Sequence, residues 1–377
     1  MKTPALLLLA LSLSNGLALA PALAAAPIKI GEFACLTGKD ATFGQSQHKG
    51  IVLALEEINA AGGVLGRPIE VISEDNQSKA GESATVAKKL LSRDKVVAIL
   101  GEVTSGRSLE VAPLAQGAKI PMIATGATNA KVTQTGNYVF RVCFIDDFQG
   151  TVMAKFALTD LKAKKVATLT SVSSAYSVGL AKVFKETFVA GGGTVVAEQK
   201  FNEGDKDFRA QLTAIKAAGV DAVFVPGYYT EAALVARQAR SLGLTMPLFG
   251  GDGWESEKLL EIGGDALNGT FYSTHFTPEN KDPAVTAFVA KFKARWNNET
   301  PDAYAALGYD ALQVLVDAIR RTGGTEGPKL REAIAATRNF SGASGVTTLD
   351  KDRNASKPAT IITIKDGKLA FHKTVAP

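Results

Sequence analysis

The feature that most limits what this chain can fold into is an alternation of strand-length apolar runs with helical patterns, which begins at Ile28 and continues, with one restart, to Phe249. Ile28–Ala34 and residues 69–73 and 96–100 read as strands. Between them, residues 46–61 and 80–93 carry apolar side chains at helical spacing, and Gly62-Gly63 stops the first of these helices. Strands separated by helices of this length do not pair as hairpins, so a parallel, doubly wound α/β sheet is expected. The pattern restarts with an extended piece at 138–142 and a helix at 148–161. Strands at 166–170, 194–199, 222–225 and 247–249 then alternate with helices at 176–190, 208–218 and 230–242. Two such sets in series, joined near Asp146, predict two similar lobes.

Beyond Gly269 the order changes. One strand (270–275) precedes strong helices at 283–297 and 303–321, an amphipathic piece at 329–336, and short strands at 345–349, 359–364 and 369–373. Asp366-Gly367 reads as the hairpin turn between the last two. The long helices are expected to return to the first lobe and the final hairpin to the second, with crossings near Asp146, Phe276 and Leu349. Lobe one would then comprise residues 25–145 and 276–349, and lobe two residues 146–275 and 350–377, around a cleft that opens and closes by hinge motion.

Composition agrees with a packed globular protein, because 46% of the 377 residues are hydrophobic and 21% charged. The formal net charge of +5 is spread without a basic run, which argues against nucleic acid as a partner. The N-terminus combines Lys2, an apolar core at residues 5–13 and small residues up to Ala26, the pattern of a secretory signal peptide. Ala22-Leu23-Ala24 supplies a small-x-small cleavage motif, so cleavage is expected after Ala24 (residues 1–24 removed), and no cysteine at the boundary points to a lipid anchor. Cys35 and Cys143 are the two cysteines, and export permits either a bridge between them or two buried thiols.

Two strand-to-helix corners in residues 101–129 carry the binding signal. One offers Thr104, Ser105 and Gly106 after the third strand, and the other offers Thr125, Gly126, Thr128 and Asn129 after residues 121–123. In an open parallel sheet such corners lie at the carboxyl ends of the strands, where hydroxyls and backbone N–H groups converge on an anion. The same residue types also serve as ordinary helix caps. No acid, base or thiol stands among them. His48, His275 and His372 lack zinc-ligand spacing and read as surface or capping residues, and the glycine-rich places match no nucleotide fingerprint, so no cofactor is expected. In the second set, Gly227-Tyr228-Tyr229 and Gly250-Gly251-Asp252-Gly253-Trp254 put aromatics and an acid at adjacent strand ends. Asp252 either shapes a glycine turn or, as a carboxylate in a partly dry cleft, needs a cation. With Tyr176 opening a helix nearby, the set describes a ligand with an anionic end, a cationic end and an apolar body, as an amino acid has.

Phe43-Gly44, residues 59–64, 101–106 and 123–129, Phe140-Arg141, Gly227-Tyr228-Tyr229 and residues 250–254 resemble the periplasmic Leu/Ile/Val-binding proteins of ABC transporters, in order along nearly the whole mature chain. The resemblance implies the type I periplasmic binding fold: two Rossmann-like lobes joined by three crossovers, closing on an amino acid and presenting it to membrane permease subunits. It implies that Ser105 and Thr128 hold the α-carboxylate together with backbone groups at Gly126, that Asp252 and Tyr228 meet the α-ammonium, and that Tyr176 and Phe43 line the side-chain pocket with Val103, Thr104 and Tyr304. Some members carry a disulfide where this chain has Asn76 and Thr104, so that bridge is missing and the pocket wall is expected to be slightly more polar. The expected protein is a soluble, exported, periplasmic monomer that binds and does not catalyse. A same-fold protein for another small solute (an amide, an aromatic carboxylate or a polar amino acid) is the alternative.

Overall fold

The computed structural model describes residues 26–377, and the expected signal peptide with its cleavage after Ala24 lies outside them. In chain order the first sheet and its helices are β1 (Ile28–Ala34), α1 (Ala41–Ala60), β2 (Ile69–Asp75), α2 (Glu82–Lys89), β3 (Ile99–Leu100), α3 (Ser105–Ala118), β4 (Met122–Ala124), α4 (Lys131–Gln134) and β5 (Val139–Arg141). These strands form a parallel sheet of order β2-β1-β3-β4-β5. The chain then builds α5 (Asp146–Thr159), β6 (Lys165–Ser171), α6 (Ala175–Ala190), β7 (Thr194–Phe201), α7 (Arg209–Ala218), β8 (Ala222–Phe224), α8 (Tyr229–Ser241), β9 (Leu248–Gly250), α9 (Glu257–Gly263) and β10 (Phe271–Thr274). It returns through α10 (Pro283–Arg295), α11 (Ala303–Thr322) and α12 (Gly327–Ala335) to the short strands β11 (Phe340–Gly342), β12 (Gly345–Leu349) and β13 (Ala355–Ser356), and ends in β14 (Ala359–Lys365) and β15 (Lys368–Val375). The second sheet has the order β15-β14-β10-β9-β8-β6-β7, antiparallel only at β14 and β15.

The central strands are covered on both faces. β4, β5, β8 and β9 are buried at every residue, as parallel strands between helix layers must be. The return helices are well punctuated. Asp282 caps α10 with Pro283 at its first position, and Asp302 caps α11 by accepting from Ala305 N at 2.9 Å, while Gly323 closes α11 in the left-handed region. α11 packs on α1 at glycine contacts. A Cβ on Gly50 would sit 1.9 Å from the Ala305 carbonyl oxygen, and one on Gly308 2.3 Å from that of Gln47. Backbone-to-backbone packing this tight is what binds the returning segment to the first sheet.

Several expectations shift. α1 starts at Ala41, five positions before the expected 46, because burial of Phe43 among aromatic rings outweighs the poor helix propensity of Thr42 and Gly44. α3 starts at Ser105 itself, with Thr104 as the preceding extended residue. Beyond Leu349 the chain first forms β13, and its pairing with the second sheet begins with β14 at Ala359. β13 pairs with β12, and Arg353 reaches back to the carbonyls of Thr133 and Val139. Cys35 and Cys143 are free, buried thiols, each directed at a backbone carbonyl: Asp40 for Cys35, Ala127 for Cys143. Asp366 and Gly367 both adopt positive φ, as a tight hairpin turn demands. No helix among the described residues is long and apolar enough to cross a membrane.

Candidate functional site

Each sheet contributes its carboxyl-end corners to one cleft. On the first lobe, Ser105 opens the 14-residue helix α3, whose N-terminal N–H groups and dipole favour an anion there. Its Oγ accepts the Asn129 N–H at 3.1 Å, which leaves the hydroxyl hydrogen free to donate. Thr128 is buried, and its Oγ1 has no partner in good hydrogen-bond geometry. Thr125, from the same corner, is spent elsewhere, donating to Gln47 Oε1 at 2.6 Å. Gly126 lies under Tyr304 and Val103: an added Cβ would meet Tyr304 Cε1 at 2.9 Å and Val103 Cγ1 at 3.0 Å, so only glycine lets these side chains pack this close to the backbone.

The second lobe answers with Tyr176 near the start of α6, Tyr228 immediately before α8, and Asp252 in the turn after β9. The Tyr176 and Tyr228 rings stack at 5.4 Å with 7° between their planes, and the Tyr176 hydroxyl accepts the Gly253 N–H at 3.1 Å. Phe43 comes across from the first lobe with its ring 5.6 Å from Tyr228, 5.0 Å from Tyr229 and 5.0 Å from Tyr304. The lobes are closed on each other. The Tyr304 hydroxyl donates to the Asp252 carbonyl at 2.7 Å, Asn129 Nδ2 to the Ala175 carbonyl at 2.7 Å, and Tyr229 to the Lys39 carbonyl at 2.7 Å, while Lys39 Nζ pairs with Glu203 at 3.1 Å.

Asp252 is 2% exposed and has partners the sequence did not disclose. Gln149 Nε2, one turn into α5, donates to its Oδ1 at 2.9 Å, and His275 Nε2 lies 3.1 Å from Oδ2. Burial pushes the His275 pKa down despite the neighbouring carboxylate, so the imidazole is a neutral donor and its Nδ1 is left without a partner. Among the described residues no Lys or Arg pairs with Asp252. Two neutral N–H groups orient the carboxylate without cancelling its charge. The expectation that His275 is a surface or capping residue is corrected: it follows a central strand, β10, whose end opens into the cleft, with its ring centroid 3.7 Å from that of Phe144.

Thr104 also departs from expectation. Its hydroxyl donates to Glu102 Oε1 at 2.5 Å and accepts from Arg107 Nη1 at 3.3 Å, so its polarity is consumed behind the wall. Asn76 binds the other oxygen of the same carboxyl. Asn76 and Thr104 are thus joined through the fully buried Glu102, whose pKa burial raises to about 7 against the pull of Arg107, Thr104 and Asn76. Ser105, Gly126, Thr128, Val103, Tyr304, Phe43, Tyr176, Tyr228 and Asp252 are thus brought near one another at the facing edges of the two sheets. Glu102, Gln149 and His275 are the participants that motif reading missed.

The model of the periplasmic binding protein family matches residues 27–368. The chain is 35% identical to the Leu/Ile/Val-binding protein BraC3 of Rhizobium johnstonii over 316 residues, 84% of each protein. Its fold is similar to that of the leucine-binding protein LivK of Thermotoga maritima, with a TM-score of 0.90 and 41% identity over 93% of this chain and 99% of that one. It is also similar to the branched-chain amino acid transporter substrate-binding protein LivJ of Streptococcus pneumoniae, solved with isoleucine, with a TM-score of 0.88 and 35% identity over 93% of this chain and 100% of that one. Two α/β lobes, sheets that exchange the chain through three passages, and one polar-ended aromatic cleft between them agree with these matches: the chain belongs to the periplasmic binding protein family and has its type I fold.

Proposed function

We propose that this protein captures a free amino acid with a branched or other aliphatic side chain in its interlobe cleft and delivers it, in the periplasm, to the permease subunits of an ABC transporter. The observation that carries this is the split of the polar ends across the lobes. Hydroxyls and a helix N-terminus stand on one side, and a buried carboxylate that has no cationic partner among the described residues stands on the other, with aromatic rings between. A zwitterion satisfies both ends only when the lobes are closed, so ligand binding favours the closed form. In this reading Ser105, Thr128 and the backbone at Gly126 take the carboxylate, and Asp252 and Tyr228 take the ammonium. Tyr176, Phe43, Val103, Thr104 and Tyr304 bound the side chain, and the spent hydroxyl of Thr104 favours an apolar one. One lobe comprises residues 25–145 with 276–349, the other residues 146–275 with 350–377, in a monomer. The site binds and does not catalyse: its groups orient two charges and offer no nucleophile beside a base.

A second reading has one observation in its favour. Asp252 already holds Gln149 and His275, so a solute lacking an amine leaves that carboxylate hydrogen-bonded. Calorimetry on refolded protein with leucine, isoleucine, valine and 4-methylpentanoate separates the two. Tight binding of the amino acids and weak binding of the amine-free acid is expected, and the reverse order would move the assignment to an amine-free carboxylate.

A further inference from the structure

A second buried carboxyl, Asp146, sits beside the site and is used by none of the roles above. It opens α5, 2% exposed, with its backbone N–H donating to the Thr128 carbonyl at 2.9 Å. Neither carboxyl oxygen has a partner in good hydrogen-bond geometry, and the Thr128 hydroxyl, also without one, lies within reach. The charged groups facing it are Asp252 from the turn after β9, Arg141 from β5, Asp147 on its own helix, and, if ionised, Cys143 and Tyr176. Arg141 is committed to the carbonyls of Ala127 and Asn129 and to the Thr133 hydroxyl. From α6, a Cβ on Gly179 would come within 3.5 Å of Asp146 Oδ2, so the packed helix backbone shuts water out on that side. Burial, and then the neighbouring Asp252 charge, raise the Asp146 pKa well above the usual carboxylate range.

A hydroxyl that is to donate to a ligand carboxylate must not spend its hydrogen on a second carboxylate behind it. An ionised Asp146 would take the Thr128 hydrogen and turn a lone pair toward the ligand's anionic end. A neutral one reverses the chain, because its O–H can be given to Thr128 Oγ1. We propose that Asp146 is a positioning residue which, carrying a proton, donates to Thr128 Oγ1 and so directs the Thr128 hydroxyl hydrogen at the ligand's carboxylate.

The role presupposes the amino-acid reading above, and leucine is the probe. Asp146→Asn supplies an N–H in the same place and should keep leucine affinity within a few-fold. Asp146→Ala should weaken it roughly tenfold to a hundredfold, the usual worth of one hydrogen bond to a charged group. Wild-type affinity should fall as the pH is raised through the Asp146 range, whereas Asp146→Asn should lack that part of the fall. Glu102, which titrates nearby, is common to both proteins and cancels in the comparison. Because Asp146→Ala could fail to fold, proton linkage gives an independent measure. Calorimetry in buffers of differing ionisation enthalpy should show more proton uptake on leucine binding at alkaline pH by the wild type than by Asp146→Asn, in which only the uptake by leucine's own amine remains. Proton release on binding, identical linkage in the two proteins, or an Asn variant as weak as the Ala variant would overturn the role while leaving the amino-acid reading intact. A wild type that binds no amino acid would remove both.

Discussion

Replacing Asp252 by Asn tests the ammonium end of the cleft with least disturbance to the fold. The side chain is 3% exposed, and each of its oxygens meets one N–H, from Gln149 at 2.9 Å and from His275 at 3.1 Å. An Asn Oδ1 keeps the bond from Gln149. Its Nδ2 faces His275 Nε2, which accepts once the imidazole proton moves to the unpartnered Nδ1. The variant therefore loses a charge and no internal hydrogen bond, and its thermal midpoint without ligand should stay close to that of the wild type. Truncating one partner of a buried, hydrogen-bonded charge pair costs about 2–5 kcal/mol, which at about 1.4 kcal/mol per tenfold is roughly 30-fold to a few thousand-fold in affinity. The two neutral donors argue for the upper half of that range, since they orient the carboxylate without neutralising it and leave the ammonium as its only cation. The assay is calorimetry with leucine and with 4-methylpentanoate on both proteins, with circular dichroism to confirm folding. Leucine should lose the full amount, and the amine-free acid little or even gain. Unchanged leucine affinity, or equal losses for both ligands, would refute the assignment.

The anionic end is tested by replacing Ser105 and Thr128 together with Ala, which should weaken leucine much more than leucinamide; equal losses would count against carboxylate binding there. Small-angle scattering of refolded protein should show compaction when leucine is added, since the cross-lobe bonds of Tyr304, Asn129 and Tyr229 form only on closure, and an unchanged radius at saturation would argue for a rigid cleft. Glu102 adds a pH dependence to folding. Its folded pKa of about 7 lies above the ordinary 4.5, so the stability it contributes is full below the ordinary value and is lost as pH rises to the folded one. The loss should be of the order of 3 kcal/mol at most; Glu102→Gln should remove it, and identical denaturation midpoints against pH in the two proteins would exclude a buried acid there. Gly50→Ala should destabilise the fold by about 1–3 kcal/mol through the clash with the Ala305 carbonyl, read as a lower urea midpoint with leucine affinity retained in the folded fraction.

The strand and helix order was legible because period and punctuation are local properties. Apolar runs of strand length between capped helices give βα units wherever they occur, and a right-handed parallel sheet puts their loops on one edge. That is why the places of Ser105, Thr128, Tyr228 and Asp252 at strand-end corners could be read from the sequence. What depends on meeting across the fold could not be read the same way. Asp302 and Gly323 mark the ends of α11 in the sequence, but nothing near Gly50 says that it faces the Ala305 carbonyl. The start of α1 at Ala41 was decided by the aromatic surroundings of Phe43 against local propensity, and the place of residues 355–356 by the pairing of β13 with β12. His275 and Gln149 carry no motif. They matter because β10 and α5 bring them to Asp252 from 23 and 103 positions away along the chain. Residue types and their spacing determined which chemistry was available at the sheet edge. The tertiary structure decided which of those groups are free to act, because whether a hydroxyl such as that of Thr104 or a carboxyl such as that of Asp146 has a partner depends on neighbours that only folding supplies.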